Sequence, residues 1–292
     1  MVKDVIQQLQ QDVALHLTQL IEKRASDARL KEAMLYAVQS GGKRIRPLLT
    51  LAIGASGTST NEATLDLACA LEMIHTYSLI HDDLPGMDDD ELRRGRPTLH
   101  NAFDEATAIL AGDALLTLAF EVAANANLEA NQLVEAVKIL STASGMSGMI
   151  SGQMKDIASE EATITLEEMK EIHREKTGEL LLAAVRLGNL FVLDSKMKEA
   201  FVSYATHFGL AFQIQNDLQD VCWTSEQTGK ETGKDSELSK NTYPSLLGVE
   251  GAKEALASEI SSCKRALEEV AFTPENQQTK TLLVEFLTYL EI

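Results

Sequence analysis

Disulfide frameworks, zinc centres and β-rich architectures all lack their raw material in this chain. Its three cysteines, Cys69, Cys222 and Cys263, are odd in number and widely separated. That spacing offers neither a disulfide framework nor paired zinc ligands, so the expected compartment is a reducing cytoplasm. Aromatic residues make up 5% and prolines number five, too few for a sandwich or barrel rich in turns. Basic residues are scarce too: 26 Lys and Arg stand against 44 Asp and Glu, a formal net charge of −18. Nucleic acid is thereby disfavoured as a partner, because its sequence-independent binding needs a basic surface. The opening residues Met1, Val2, Lys3, Asp4 and Val5 lack the apolar run of a signal peptide. No stretch reads as the roughly 20 consecutive apolar residues of a membrane span. The expectation is a soluble protein.

What is plentiful is helix-forming material, with Ala, Leu, Glu, Gln and Met prominent. Apolar residues are 45% of 292, enough for a large core. Val5, Leu9, Val13, Leu17, Leu20 and Ile21 form one stripe of an opening helix. A second helix, 30–38, stops at Ser40, Gly41 and Gly42, where glycines suit a helix C-terminus. A third is predicted to start at Pro47, and a fourth to run over 61–81. Residues 104–125 are apolar almost all round, as in a helix at the middle of a bundle, which makes Asp113 a structural acid. Further helices are predicted over 129–152, 165–190, 195–222, 250–271 and 276–290, with a polar loop over 225–242. Met73, Met146, Met149 and Met154 read as gap-filling core, and Cys69 and Cys222 as small core residues. The predicted fold is all-α, a single domain over 1–292.

Chemistry concentrates at the end of the fourth helix. Asp82, Asp83, Asp88, Asp89 and Asp90 surround a Pro85–Gly86 break, and Arg93, Arg94 and Arg96 follow at once. Carboxylates hold hard cations such as Mg²⁺, whereas arginines grip phosphate oxygens directly. Both devices side by side suit a polyphosphate held through metal and through guanidinium. Such an anion needs local positive charge to overcome the acidic protein's field. A second polar cluster interrupts an apolar helix at Gln213, Asn216, Asp217 and Asp220. Spacings of three and four let Asn216, Asp217 and Asp220 share a face. Carboxylates from separate helices around one cavity are a known way to place metal in a helical bundle.

The run Gly42-Lys43-Arg44-Ile45-Arg46-Pro47, the 82–96 run, Lys176-Thr177 and the 213–220 run together resemble the trans-prenyl diphosphate synthase family. The resemblance extends from about residue 30 to Gly248, and farnesyl-forming bacterial members are nearest. It implies a helical bundle around a deep central cavity, a homodimer, and two or three Mg²⁺ ions. The implied reaction joins isopentenyl diphosphate to an allylic diphosphate, dimethylallyl or geranyl. By the same resemblance Asp82, Asp83 and Asp88 belong to the first aspartate motif, with Asp82 and Asp88 the expected direct ligands. Asp217 and Asp220 carry the second motif. Arg93 would hold the allylic diphosphate; Lys43, Arg46, His75 and Arg94 would hold isopentenyl diphosphate without metal. Lys176, Thr177, Gln213 and Lys230 would surround the allylic pyrophosphate and the developing cation.

One position departs from the family pattern. Asn216 stands where an aspartate usually opens the second motif, offering an amide oxygen but no charge. Tyr77 and Ser78 occupy the family's chain-length positions, five and four residues before Asp82, roughly 6–8 Å down the helix. An aromatic at the first accompanies a fifteen-carbon product. Competing readings are a geranylgeranyl diphosphate synthase, a weakly active partner subunit of a heteromeric synthase, and a terpene cyclase. The last has no use for the second set of cations at Lys43, Arg46 and Arg94. Gln153 and Asp156 follow a small-residue stretch suited to close helix packing, and are placed to reach water around the metals. His81 reads as structural.

Overall fold

The opening stripe is buried along helix α1 (Val2–Arg24), with Ile6, Val13, Leu17, Leu20 and Ile21 inside. The structure, a computed structural model, describes residues 2–55, 62–159, 162, 164–223 and 241–291. Lys230 and nearly all of the polar loop expected over 225–242 lie outside the described residues. Two compact units emerge: Met1–Leu51 with Thr60–Val137, and Ala52–Ser59 with Lys138–Ile292.

In the first unit, α2 (Ala28–Val38) is capped by Asp27, whose carboxylate accepts from the Leu30 amide at 2.8 Å. Helix α3 (Ile45–Gly54) begins two residues ahead of Pro47, which falls in its first turn and so loses no intrahelical bond. Helix α4 (Glu62–Asp82) is buried on nearly every side and packs chiefly on α6 (Glu105–Ala124). Between them lies an antiparallel hairpin of two-residue strands, β1 (Leu92–Arg93) and β2 (Arg96–Pro97), followed by the short α5 (Leu99–Ala102). Its turn, Arg94-Gly95, has φ of +56° and +73°, the pairing a two-residue type I′ connection requires.

Helix α6 corrects its sequence reading. Ala108, Ala111, Leu115, Ala119 and Val122 face the core, but Ile109 and Leu110 are 43% and 59% exposed, and Asp113 is exposed. By length and composition α6 is also long and apolar enough to match a membrane span, which the sequence reading did not anticipate. Its inner face nonetheless packs on α4, as a core helix does. Met73, Met149 and Cys69 are buried as expected, whereas Met146, Met154 and Cys222 are exposed.

Helix α7 (Ala130–Ser144) crosses the boundary into the second unit. What reads as one helix over 129–152 is α7 and α8 (Met149–Ser159), separated by a turn containing Gly145 and Gly148. Helix α9 (Leu166–His173) opens with a capping box: Thr165 and Glu168 satisfy each other's backbone amides. It continues through one π turn (Arg174–Gly178) into α10 (Glu179–Gly188). The long α11 (Ser195–Cys222) packs mainly against α12 (Tyr243–Glu268), and α13 (Gln277–Leu287) follows. The Tyr204 hydroxyl fixes α11 to α13 by donating to the Leu283 carbonyl at 2.7 Å.

Candidate active site

In the first unit the cations are brought together by a turn that needs its glycines. Gly41 and Gly42 have φ of +81° and +111°, and Arg44 follows at +53°. A Cβ on Gly42 would lie 2.5 Å from the Arg94 guanidinium carbon, so that side chain would have to move aside, and the φ of +111° itself favours glycine. Arg94 crosses the turn and donates to the Gly41 carbonyl. Arg46 lies within 3.4 Å of His75 Nε2, and because guanidinium only donates, that nitrogen must be the acceptor. Burial, then the neighbouring Arg46 and Arg94, push the His75 pKa well below its ordinary value, so the ring is neutral near pH 7. Arg46 is itself held down to about 10 by burial, and its Nε has no hydrogen-bond partner among the described residues. A buried charged donor left unsatisfied is costly, and an incoming anion would satisfy it. Burial likewise lowers Lys43 and Arg94.

The first aspartate motif extends from the end of α4. The Asp88 amide donates to the Asp82 carbonyl at 2.9 Å, folding the segment back beside the helix end. Asp83 is turned another way: buried, it accepts from Arg93 Nε at 2.6 Å and Nη2 at 2.5 Å. Burial raises the Asp83 pKa against the pull of Arg93. Arg93 reaches Asp90 as well, at 3.4 Å. Asp88 is exposed, and no ion pair holds it among the described residues.

Tyr77 and Ser78, the residues expected to set chain length, lie one turn earlier. Tyr77 is 5% exposed, and its hydroxyl has no hydrogen-bond partner among the described residues. Its ring meets the His81 ring edge-on at 5.7 Å. His81 in turn sits over Gly112 and lies 3.1 Å from the Ile109 carbonyl, a structural role as read from the sequence. The Ser78 hydroxyl donates to the His75 carbonyl.

In the second unit, the π turn presents Lys176 and Thr177. Lys176 Nζ meets Asp156 Oδ2 at 2.6 Å, so Asp156 engages the lysine directly. The Thr177 hydroxyl donates to Gln213 Oε1 at 3.0 Å, and Gln213 Nε2 to Asp217 Oδ1 at 3.3 Å. Asp217 Oδ2 accepts the Tyr243 amide at 3.0 Å, which ties the first turn of α12 to α11. Asp217 and Asp220 are buried and Asn216 is half-buried. His173 stacks on the Tyr243 ring at 5.8 Å, and burial holds its pKa down to about 4. Gly152 on α8 allows the close approach the sequence suggested: a Cβ there would fall 2.2 Å from the Lys176 amide nitrogen.

The polyprenyl synthetase family profile matches residues 27–274. This chain belongs to that family. Against the Geobacillus stearothermophilus farnesyl diphosphate synthase, the family member is 44% identical over 270 residues, 91% of each chain. Against the Escherichia coli farnesyl diphosphate synthase it is 47% identical over 247 residues, 82% of each. A Helicobacter pylori geranyltransferase solved with magnesium and isoprenyl diphosphate superposes with a TM-score of 0.84 at 34% identity, covering 95% of both chains. The all-α expectation is thus correct, as is the family resemblance. Sequence reasoning gave Glu72, His173 and Tyr243 no role, and quoted Arg44 only as part of a motif run, because the partners in the pairs Arg44–Glu72 and His173–Tyr243 are distant in the chain. The Thr242–Ser245 capping box opens α12 at Tyr243, ahead of the helix start at 250 expected from the sequence.

The donor chemistry fits Mg²⁺. Among the described residues no three acidic, imidazole or thiol side chains converge as a ready-made metal cage. Mg²⁺ rarely uses one; it takes one or two carboxylates, keeps water, and completes its shell with substrate phosphates.

Proposed function

We propose that this chain is a Mg²⁺-dependent farnesyl diphosphate synthase, joining isopentenyl diphosphate to dimethylallyl and then geranyl diphosphate. The observation that carries the reading is the cation cradle of Lys43, Arg46, His75 and Arg94, with the Arg46 Nε buried and unsatisfied. It suits a diphosphate bound without metal, beside the helix that ends in the aspartate motif. A cyclase, with one prenyl diphosphate to bind, has no use for it.

In the reaction the allylic C–O bond breaks and its electron pair leaves with diphosphate. The isopentenyl double bond then attacks the allylic cation, and a proton lost from the adduct restores an alkene five carbons longer. Mg²⁺, when bound, neutralises charge growing on the leaving diphosphate. Asp82, Asp88 and Asp220 are the ligands this reading favours, with Asp217 oriented by Gln213 and Tyr243. Asp83 holds Arg93 for the allylic diphosphate. By the family resemblance Lys176, which Asp156 holds in place, would contact the allylic diphosphate, and Thr177 and Gln213, bonded to each other, would supply dipoles for the developing cation. Tyr77 closes the path of the growing tail. The family profile spans both compact units, which supports one functional domain. By the family resemblance the chain would act as a homodimer.

The purified chain, given dimethylallyl diphosphate, labelled isopentenyl diphosphate and Mg²⁺, should yield farnesyl diphosphate as its main product. A main product of twenty carbons or more would favour a geranylgeranyl diphosphate synthase. Inactivity of the chain alone, restored by a second protein, would favour a partner subunit. Sedimentation as a monomer at micromolar concentration would overturn the dimer.

A further inference from the structure

Glu72 takes no part in the reaction as drawn, yet it is the acid buried among the cradle's cations. Its side chain is 3% exposed, three residues before His75 on α4, and its Oε1 accepts Arg44 Nη1 at 2.5 Å. Arg44 also donates through Nη2 to the Val38 carbonyl at the end of α2. One guanidinium therefore ties three pieces together: the last turn of α2, the turn at residues 41–44, and α4. Arg44 has a left-handed backbone, at φ +53°, which residues with a Cβ adopt only when the surroundings impose it. Lys43 and Arg46 lie one residue before and two after this anchor, so its position sets theirs. Glu72 also acts at a distance. Its charge favours the charged forms of Arg46 and Arg94, which burial and neighbouring guanidiniums disfavour, and Asp83 adds to this at Arg94.

We infer that Glu72, acting through Arg44, is a positioning residue for the isopentenyl diphosphate cradle, setting the place of Lys43 and Arg46 before the anion arrives. The inference rests on reading Lys43, Arg46, His75 and Arg94 as that cradle. A pair serving stability alone would affect both substrates equally when lost. A positioning pair affects the metal-free substrate selectively.

Four variants test this: Lys43→Ala, Glu72→Gln, Glu72→Asp, and the double variant Arg44→Met with Glu72→Leu. Glu72→Gln leaves a buried guanidinium short of its counter-charge and is at risk of unfolding. The double variant replaces the whole pair with apolar side chains, an exchange buried ion pairs often tolerate. For the folded double variant, KM for isopentenyl diphosphate should rise at least tenfold while KM for geranyl diphosphate stays within about twofold. Glu72→Asp, which keeps the charge, should recover part of the loss. Unchanged isopentenyl KM in Lys43→Ala would overturn the cradle and this inference with it. A raised KM in Lys43→Ala beside a wild-type KM in the double variant would overturn the inference alone. So would equal rises for both substrates.

Discussion

Gly152→Ala sets two opposed effects against each other, and the structure decides between them. In a helix interior, alanine is favoured over glycine by about 1 kcal/mol. At residue 152 the added Cβ would lie 2.2 Å from the Lys176 amide nitrogen, 2.6 Å from its Cα and 2.8 Å from the Glu175 carbonyl carbon. Ordinary carbon contacts need about 3.5–4.0 Å, so α8 and the π turn must part by roughly 1 Å. These are backbone atoms and cannot swing aside. Overpacking of this kind costs about 1–3 kcal/mol, which outweighs the propensity gain. A net loss of about 1 kcal/mol should lower Tm by roughly 2–4 °C in scanning fluorimetry. The larger effect falls on Lys176 and Thr177, carried by the displaced turn. A misplacement near 1 Å is enough for a loss of about 10²-fold, so kcat/KM for geranyl diphosphate should fall by roughly that factor. Gly112→Ala is the control. Its Cβ would also come within 2.2 Å of a neighbour, but that neighbour is the far end of His81, which can rotate away. Its Tm should change by less than that of Gly152→Ala. A Gly152→Ala protein with wild-type Tm and kcat/KM would refute the reasoning.

Three more predictions follow from individual side chains. Tyr77→Ala should lengthen the main product to twenty carbons or more by chromatography, whereas Tyr77→Phe should keep fifteen and gain about 1 kcal/mol by removing a buried, unpartnered hydroxyl. An unaltered spectrum in Tyr77→Ala would remove the residue from its role. Asn216→Asp, by adding a charge to the second motif, should lower the Mg²⁺ concentration for half-maximal activity several-fold; an unchanged or higher requirement would count against it. His173 has a folded pKa of about 4, below its unfolded value near 6.5, so the unfolded chain binds the extra proton between those limits. Its neutral ring therefore contributes stability in full above about pH 6.5, and roughly 3 kcal/mol of this is lost as pH falls toward 4. Denaturation of His173→Phe across this window should show a correspondingly shallower decline, and an identical slope would exclude His173 as its source.

Much of the helical frame was legible because burial imposes a period. Val13, Leu17 and Ile21 marked the inner face of α1, and the 195–222 run was read with the bounds of α11. Breaks made by backbone geometry were harder. The glycines at 145 and 148 signalled packing but sit in the turn between α7 and α8, and Gly248, with φ +70°, bends α12 where the sequence placed its start near 250. The arginine hairpin left no alternation to detect because each strand has two residues. The aspartates and arginines of the site were visible as clusters. Their partners were not: Glu72 with Arg44 and Asp156 with Lys176 are separated by 28 and 20 residues, and periodicity says nothing about such pairs.

That hairpin has a consequence for which changes the chain can survive. Leu92 faces Pro97 and Arg93 faces Arg96, with Arg94 and Gly95 forming the whole turn. Arg93, on β1, turns to Asp83, whereas Arg94, in the turn with a left-handed backbone, crosses to the Gly41 carbonyl, so the hairpin's geometry sends two adjacent guanidiniums to different partners. Inserting one residue between Asp90 and Arg93 would keep every charge but shift which residues occupy the strand and the turn, displacing both guanidiniums from these partners. Over evolutionary time this segment should accept substitutions at Leu92 more readily than any change of length, so that indels here would separate working synthases from lost ones more sharply than composition does.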